Sequence, residues 1–154
     1  MKERFPPTVI WRHRKENLKK CSLSGLENRP DFAFYSYPTD VLPDMEGYIL
    51  LDLDAPPLVK EDRTHGLFIL DATWRHAEKM MNQVPNTDRF LRRSIPAHFI
   101  TAYPRKQDDC SDPDRGLASI EAIYIAYCLL GRETDGLLDH YYWKEKFLNI
   151  NPFH

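Results

Sequence analysis

Leu67-Phe68-Ile69-Leu70-Asp71-Ala72-Thr73-Trp74-Arg75-His76-Ala77-Glu78-Lys79-Met80-Met81 is the stretch on which the fold turns. Gly66 opens a short unbroken apolar run, the pattern of a strand covered on both faces, and the run stops at a carboxylate. Beyond it Trp74, Ala77, Met80, Met81 and Val84 recur at helical spacing. Thr73 is placed to cap that helix, and Pro85-Asn86 ends it. The segment therefore reads strand, turn, helix, with Asp71 at the carboxyl end of the strand. In open α/β sheets ligands bind at that edge, because loops diverge there and helix amides point outward. A turn or a helix cap also uses a carboxylate at such a place, and Trp74 also suits core packing.

Outward from this centre, further strands are predicted at Thr8–Trp11, at Asp31–Tyr37 with its two-residue alternation, at Gly47–Leu53 and at Ala97–Tyr103. Pro56-Pro57 and Pro104 close the last two. Leu117–Leu130 is an almost wholly apolar helix with Gly131 as its terminator, and a last helix spans about Gly136–Ile150. Glu121 within the greasy helix is either a buried acceptor for a nearby backbone loop, the favoured role, or a ligand contact. Strands mostly first and helices mostly last predict an α/β protein, its predominantly parallel sheet flanked by helices, with a helical C-terminal part. A single domain is expected over 1–154, with an N-terminal α/β part to about residue 65 and a helix-rich, ligand-binding part from about 66.

The 154 residues are 42% hydrophobic and 12% aromatic, a globular rather than a disordered composition. The longest apolar run, within Ala118–Leu130, is too short for a bilayer. Residues 1–7 lack the apolar core of a signal peptide, and Cys21, Cys110 and Cys128 suit a reducing compartment, so a cytoplasmic protein is expected. The histidines and cysteines form no metal-ligand spacing, so no metal is expected. Glycine-rich phosphate loops and a Gly-x-Ser-x-Gly elbow are absent from the sequence, which turns the reading away from nucleotide-hydrolysing and serine-hydrolase classes.

The net charge of −2 conceals segregation. Residues 1–20 carry seven Lys/Arg against two acids, and 63–107 carry eight against three. Residues 31–62 carry one against eight, and 108–154 four against nine. Two basic blocks that merge into one surface are the footprint of a polyanion partner. Arg12, Arg14, Lys19, Lys20, Arg92 and Arg93 are the RNA-contact candidates, chosen on charge alone. Three loops at sheet edges, after Leu53, Asp71 and Tyr103, could enclose a small ligand beside that surface.

Asp71-Ala72-Thr73-Trp74 closely resembles the Asp-x-Thr-Trp signature of the DTW-domain family. Further landmarks resemble the small-subunit rRNA aminocarboxypropyltransferases of that superfamily. They are Lys20-Cys21-Ser22, Arg93-Ser94-Ile95-Pro96, Ala102-Tyr103-Pro104, Leu117-Ala118-Ser119-Ile120-Glu121-Ala122, and Trp143 with Phe147, Leu148 and Asn151. Together they cover most of residues 20–151. Departures fall in loops: Tyr103 for the family's Asn, Arg105-Lys106-Gln107 for Asn-Tyr-Gly, an acidic insertion over 108–114, and Leu53-Asp54-Ala55-Pro56 for Leu-Ser-Pro.

The resemblance implies a SPOUT-like fold with a C-terminal trefoil knot and S-adenosylmethionine as donor substrate. It also implies transfer of the 3-amino-3-carboxypropyl group to a uridine or pseudouridine of rRNA. Transfer to a tRNA uridine, SPOUT-type methyl transfer, and a non-catalytic RNA-binding ribosome-assembly module are the alternatives. Residue by residue, it implies donor contacts from Ser22, Leu70, Asp71, Leu91, Arg115 and Leu117, with Trp74 walling the pocket and Asp71 as base or ammonium anchor. A monomer away from membranes is expected.

Overall fold

A computed structural model describes residues 5–13, 23, 25–52, 54–72, 74–102 and 117–151, with only the backbone of Trp74 and Arg75. Five strands form one sheet: β1 Thr8–His13, β2 Phe32–Tyr37, β3 Ile49–Leu51, β4 Leu67–Asp71 and β5 Leu91–Arg93. Their order is β2-β1-β4-β3-β5, and every pairing is parallel. The strand read first from sequence, β4, lies in the middle. The two parts expected either side of residue 65 contribute to this same sheet.

Alternation along the strands sorts the core into two layers. Ile10, Phe32, Ile49, Leu67 and Ile69 face α2 (Ser119–Leu130) and α3 (Lys144–Ile150), and Ile120, Ile123, Tyr127 and Phe147 cover them. Val9, Trp11, Leu50 and Phe68 face the other way, under Met80 of α1 (Trp74–Met81) and Val84. With helices on both sides, the middle strand has no solvent face, which is why its sequence reads as a continuous apolar run.

The α2 helix is where the sequence placed it. Its αL terminator is Gly131 at φ +73°, a backbone conformation that glycine adopts without a Cβ penalty. The α1 helix ends at Met81, and three-residue bonds from Gln83 to Met80 and from Val84 to Met81 tighten the exit.

Three expectations need correction. Residues 97–102 of the predicted strand Ala97–Tyr103 are turn and irregular chain. Side chains take the place of a ladder there: Asn151 Oδ1 accepts from Ile100 N (2.7 Å), Asn151 Nδ2 donates to Ile100 O (2.8 Å), and Glu121 accepts from Ala102 N (2.7 Å). The fifth strand is instead the basic Leu91–Arg93, whose alternation turns Leu91 and Arg93 inward and Arg92 outward. The last helix covers only Lys144–Ile150, because turns occupy 135–143, with Gly136 at φ +83°. Leu137 and Leu138 are still buried from those turns, whereas Tyr142 is 86% exposed.

The strand expected over Gly47–Leu53 is assigned at Ile49–Leu51. Residues 103–116, in the C-terminal half where the trefoil knot is expected, lie outside the described residues. Among the described residues, no helix is long and apolar enough to cross a membrane.

Candidate functional site

Because all five strands run the same way, their carboxyl ends, His13, Tyr37, Leu51, Asp71 and Arg93, share one edge. On it, the register pairs Arg12 of β1 with Asp71 of β4, and Arg12 Nε donates to Asp71 Oδ2 at 2.9 Å. Both side chains are nearly closed off, 12% and 8% exposed. The Arg12 guanidinium also lies 4.7 Å above the Phe34 ring. Three rings stack beside the pair: His13 lies 5.3 Å from Tyr37 and 3.9 Å from His76 of α1, the two imidazoles within 7° of parallel.

On the β3 side of Asp71 a cavity of about 500 Å³ opens. Its floor is apolar: Leu50, Phe68, Ile69, Leu70, Met81 and Leu117. Asp52, Asp54 and Arg92 bring charge to it, with Arg92 Nη1 3.2 Å from Asp52 Oδ2. Asp52 Oδ1 accepts from Asp54 N at 3.1 Å, fixing the turn after β3. An apolar bed beside one carboxylate–guanidinium pair suits a ligand that joins a flat heterocycle to a zwitterionic arm, and the volume lies within the roughly 300–1,000 Å³ usual for such sites.

The segment leading into residues 103–116 and the start of α2 are held by one buried carboxylate. Glu121 Oε1 accepts from Thr101 Oγ1 (2.6 Å) and Ala118 N (2.8 Å), while Oε2 accepts from Ala102 N (2.7 Å) and Tyr141 OH (2.9 Å). This is the structural role expected of it.

Of the residues singled out from sequence, Leu70 and Leu117 line the cavity, and so does Arg92, which charge alone had assigned to RNA. Asp71 lies at the same edge, 5% exposed and outside the cavity lining. Leu91 packs against the α2-side core. Arg12 and Arg93, also chosen on charge, are both engaged in ion pairs at this edge. Arg12 is held by Asp71, and Arg93 donates through Nε to Asp62 Oδ2 at 3.0 Å. Strand alternation turns them inward, a geometry that charge counting ignores. Ser22, Arg14, Lys19, Lys20, Arg115 and the expected cap Thr73 lie outside the described residues, as does the side chain of Trp74. Asp52 was overlooked, although its signal matches that of Asp71: a carboxylate just past the carboxyl end of an apolar strand.

A family model of the DTW domain matches residues 5–147. The chain belongs to the DTW domain family. In this DTW-domain protein the Asp of the signature closes the middle strand and its Trp opens α1, so the motif lies where the carboxyl edge of the sheet passes to the helix. No curated protein sequence matches. The fold is similar to a solved structure described as the SAM-dependent rRNA:acp-transferase Tsr3 from Vulcanisaeta distributa, at 24% identity and a TM-score of 0.72. The match covers 96% of this chain and 79% of the other.

Proposed function

We propose that this chain is an S-adenosylmethionine-dependent RNA-modifying transferase. It moves the 3-amino-3-carboxypropyl group to a uridine or pseudouridine nitrogen of rRNA in the cytoplasm, acting as a monomer. The observation that carries the reading is the cavity at the carboxyl edge, next to the family's signature Asp71, in a fold shared over 96% of the chain with a structure of that description. No metal is invoked.

The sulfonium makes each of its three attached carbons electrophilic, so the protein selects the reaction by choosing which carbon faces the base. In the proposed pose the apolar floor around Leu50, Phe68, Leu70 and Leu117 takes adenosine. The Asp52–Arg92 pair meets the charged amino-acid arm. Trp74, Ser22, Leu91 and Arg115 remain donor-contact candidates from the family pattern. The imide nitrogen gives its proton to Asp71 or to solvent and bonds to the γ-carbon, and the carbon–sulfur bond breaks with its electron pair going to sulfur, which leaves as methylthioadenosine.

Asp71 is the proposed catalytic carboxylate. Arg12 Nε donates to its Oδ2, and the carboxylate serves as base for the imide proton or as anchor for the donor's ammonium. Arg14, Lys19 and Lys20 are the proposed RNA contacts, with Arg92 at the join of RNA and donor.

Isothermal calorimetry with S-adenosylmethionine, followed by product chromatography after addition of RNA, tests the reading. Binding with release of methylthioadenosine is expected. Release of S-adenosylhomocysteine would mean methyl transfer, and absence of binding heat would leave a non-catalytic RNA-binding module.

A further inference from the structure

The opposite edge of the sheet, where the strands begin, holds a second cavity, of about 1040 Å³. Phe5 from before β1, Pro30 and Asp31 from before β2, Arg63 from before β4, and Gly131-Arg132 from the end of α2 contribute to its walls. A strand of five or six residues separates it from the ligand edge, roughly 15–20 Å.

Arg132 is its unusual member. The residue is only 7% exposed, and its guanidinium lies 3.9 Å from the Phe5 ring centre and 5.6 Å from that of Tyr127. Nη2 donates to the carbonyls of Arg63 (2.9 Å) and His65. Nε and Nη1 are buried and have no acceptor among the described residues. A guanidinium carries five N–H donors, and Nη2 holds two, so three remain unspent in the interior.

The nearest structural explanations account for only part of this. A cation at the C-terminal end of α2 favours the helix dipole, and the two carbonyls orient the group. Neither supplies an acceptor for Nε or Nη1. Asp31 is engaged by Arg29, which donates from Nε to Oδ1 and from Nη2 to Oδ2, both at 3.0 Å. Lys60 also lines the cavity and has no carboxylate partner among the described residues. Glu133 and Asp135 sit at the exposed rim. Burial itself pushes the Arg132 pKa down, as expected of a cation removed from water without an anion to replace it. Such a group is retained at a cost that an apolar side chain of equal size would avoid.

We propose that this cavity is a phosphate-binding site, with Arg132 as the buried anchor and Lys60 and Arg63 as its basic wall. The ligand oxygens approach in the guanidinium plane, because the Phe5 ring lies over its face. A guanidinium matches phosphate oxygens in spacing and planarity, and the volume admits a mononucleotide or one phosphodiester step of RNA. Two sources share this chemistry, a free phosphate-bearing small molecule and an RNA backbone. The inference stands apart from the transferase reading.

The test uses the full chain and its Arg132→Met variant, with two probes at matched ionic strength. One probe is inorganic phosphate against chloride, and the other is a short oligouridylate with a 5′-hydroxyl, which carries only diesters. The wild type is expected to melt at higher temperature with one or both probes, and the Arg132 Nε–H resonance is expected to shift on addition. Arg132→Met is expected to lose the response, with affinity weakened by about 10–100-fold. Without probe it is expected to melt at or above the wild-type temperature, because the unspent donors are gone. A response to phosphate alone identifies a small ligand, and one to the oligouridylate identifies a backbone; either supports the site. Lys60→Met is a second variant should Arg132→Met not fold, with binding expected to weaken about tenfold. A wild type that responds to neither probe, or variants that respond as the wild type does, would overturn the proposal.

Discussion

Replacing Glu121 by Gln changes one heavy atom of the α2 helix and is expected to loosen Ala102 and the start of α2. The carboxylate is fully buried and receives four hydrogen bonds, one backbone N–H on each oxygen: Ala118 N on Oε1 and Ala102 N on Oε2. Thr101 and Tyr141 hydroxyls can rotate to accept from an amide, but a backbone N–H can only donate. Either orientation of the glutamine therefore sets its NH2 against one of the two amides.

A buried donor left without an acceptor costs about 1–3 kcal/mol, and the remaining bonds lose their charge assistance, so a total of about 3–5 kcal/mol follows. That is a large share of the roughly 5–15 kcal/mol that holds a domain of this size together. It corresponds to a fall in Tm of roughly 8–15 °C. Urea unfolding followed by tryptophan fluorescence measures the loss. Hydrogen exchange adds a local readout, since the Ala102 and Ala118 amides should lose protection ahead of the strands. Glu121→Gln within 1 kcal/mol of the wild type, with both amides still protected, would refute the role of the carboxylate as the clamp of Thr101-Ala102 and Ala118.

Other perturbations follow from the same geometry. Asp71→Asn is expected to lower the single-turnover transfer rate by roughly 10²–10⁴ while leaving donor binding measurable, and an unchanged rate would remove Asp71 from the chemistry. Arg12→Met strands the buried Asp71 carboxylate and should cost roughly 3 kcal/mol or more in urea unfolding, whereas a surface phosphate contact would cost almost nothing. Arg92→Ala removes a half-exposed pair, so stability should stay within about 0.5 kcal/mol while affinity for S-adenosylmethionine falls about tenfold by calorimetry.

Tyr127 provides a pH test. Burial raises its hydroxyl pKa, so the folded state holds that proton more tightly than the unfolded chain. Its contribution is complete below the unfolded tyrosine pKa, about 10, and is lost as pH rises above it. Tyr127→Phe gives up the 2.7 Å bond to Thr8 Oγ1, costing about 1 kcal/mol at neutral pH, and should show a shallower alkaline loss of stability. An alkaline limb as steep as that of the wild type would point to another titrating group.

The middle strand was legible because it announces itself twice, by an apolar run and by the carboxylate that stops it. Burial on both faces left no alternation, and a parallel sheet covered by helices, which such a run fits, is the one observed. The strand expected at Ala97–Tyr103 failed for a reason local patterning does not carry. Asn151, fifty-one positions from Ile100, and Glu121, nineteen from Ala102, claim the backbone groups a ladder would have used. Leu91–Arg93 became the fifth strand despite its charges, because an edge position leaves room for Arg92 outside and Asp62 receives Arg93 inside.

Charge segregation found basic stretches but not their facing. Arg12 and Arg93 were read as surface because a sum of charges has no period, whereas strand geometry has a period of two. Asp52 obeys the same rule as Asp71, but the strand expected over Gly47–Leu53 ran through it, whereas the observed strand stops at Leu51. The Arg132 cavity had no sequence signal: its walls come from four separated segments, and nothing in Gly131-Arg132-Glu133 distinguishes a buried cation from an exposed one.

Transfer of the amino-acid arm itself is measured most directly with S-adenosylmethionine labelled in its carboxyl carbon, incubated with the protein and total RNA, then digested to nucleosides. Carboxyl label retained on a uridine-derived nucleoside, lost in Asp71→Asn, is the expected result. RNA that stays unlabelled, or that gains label only when the methyl group carries it, would contradict aminocarboxypropyl transfer at this edge of the sheet.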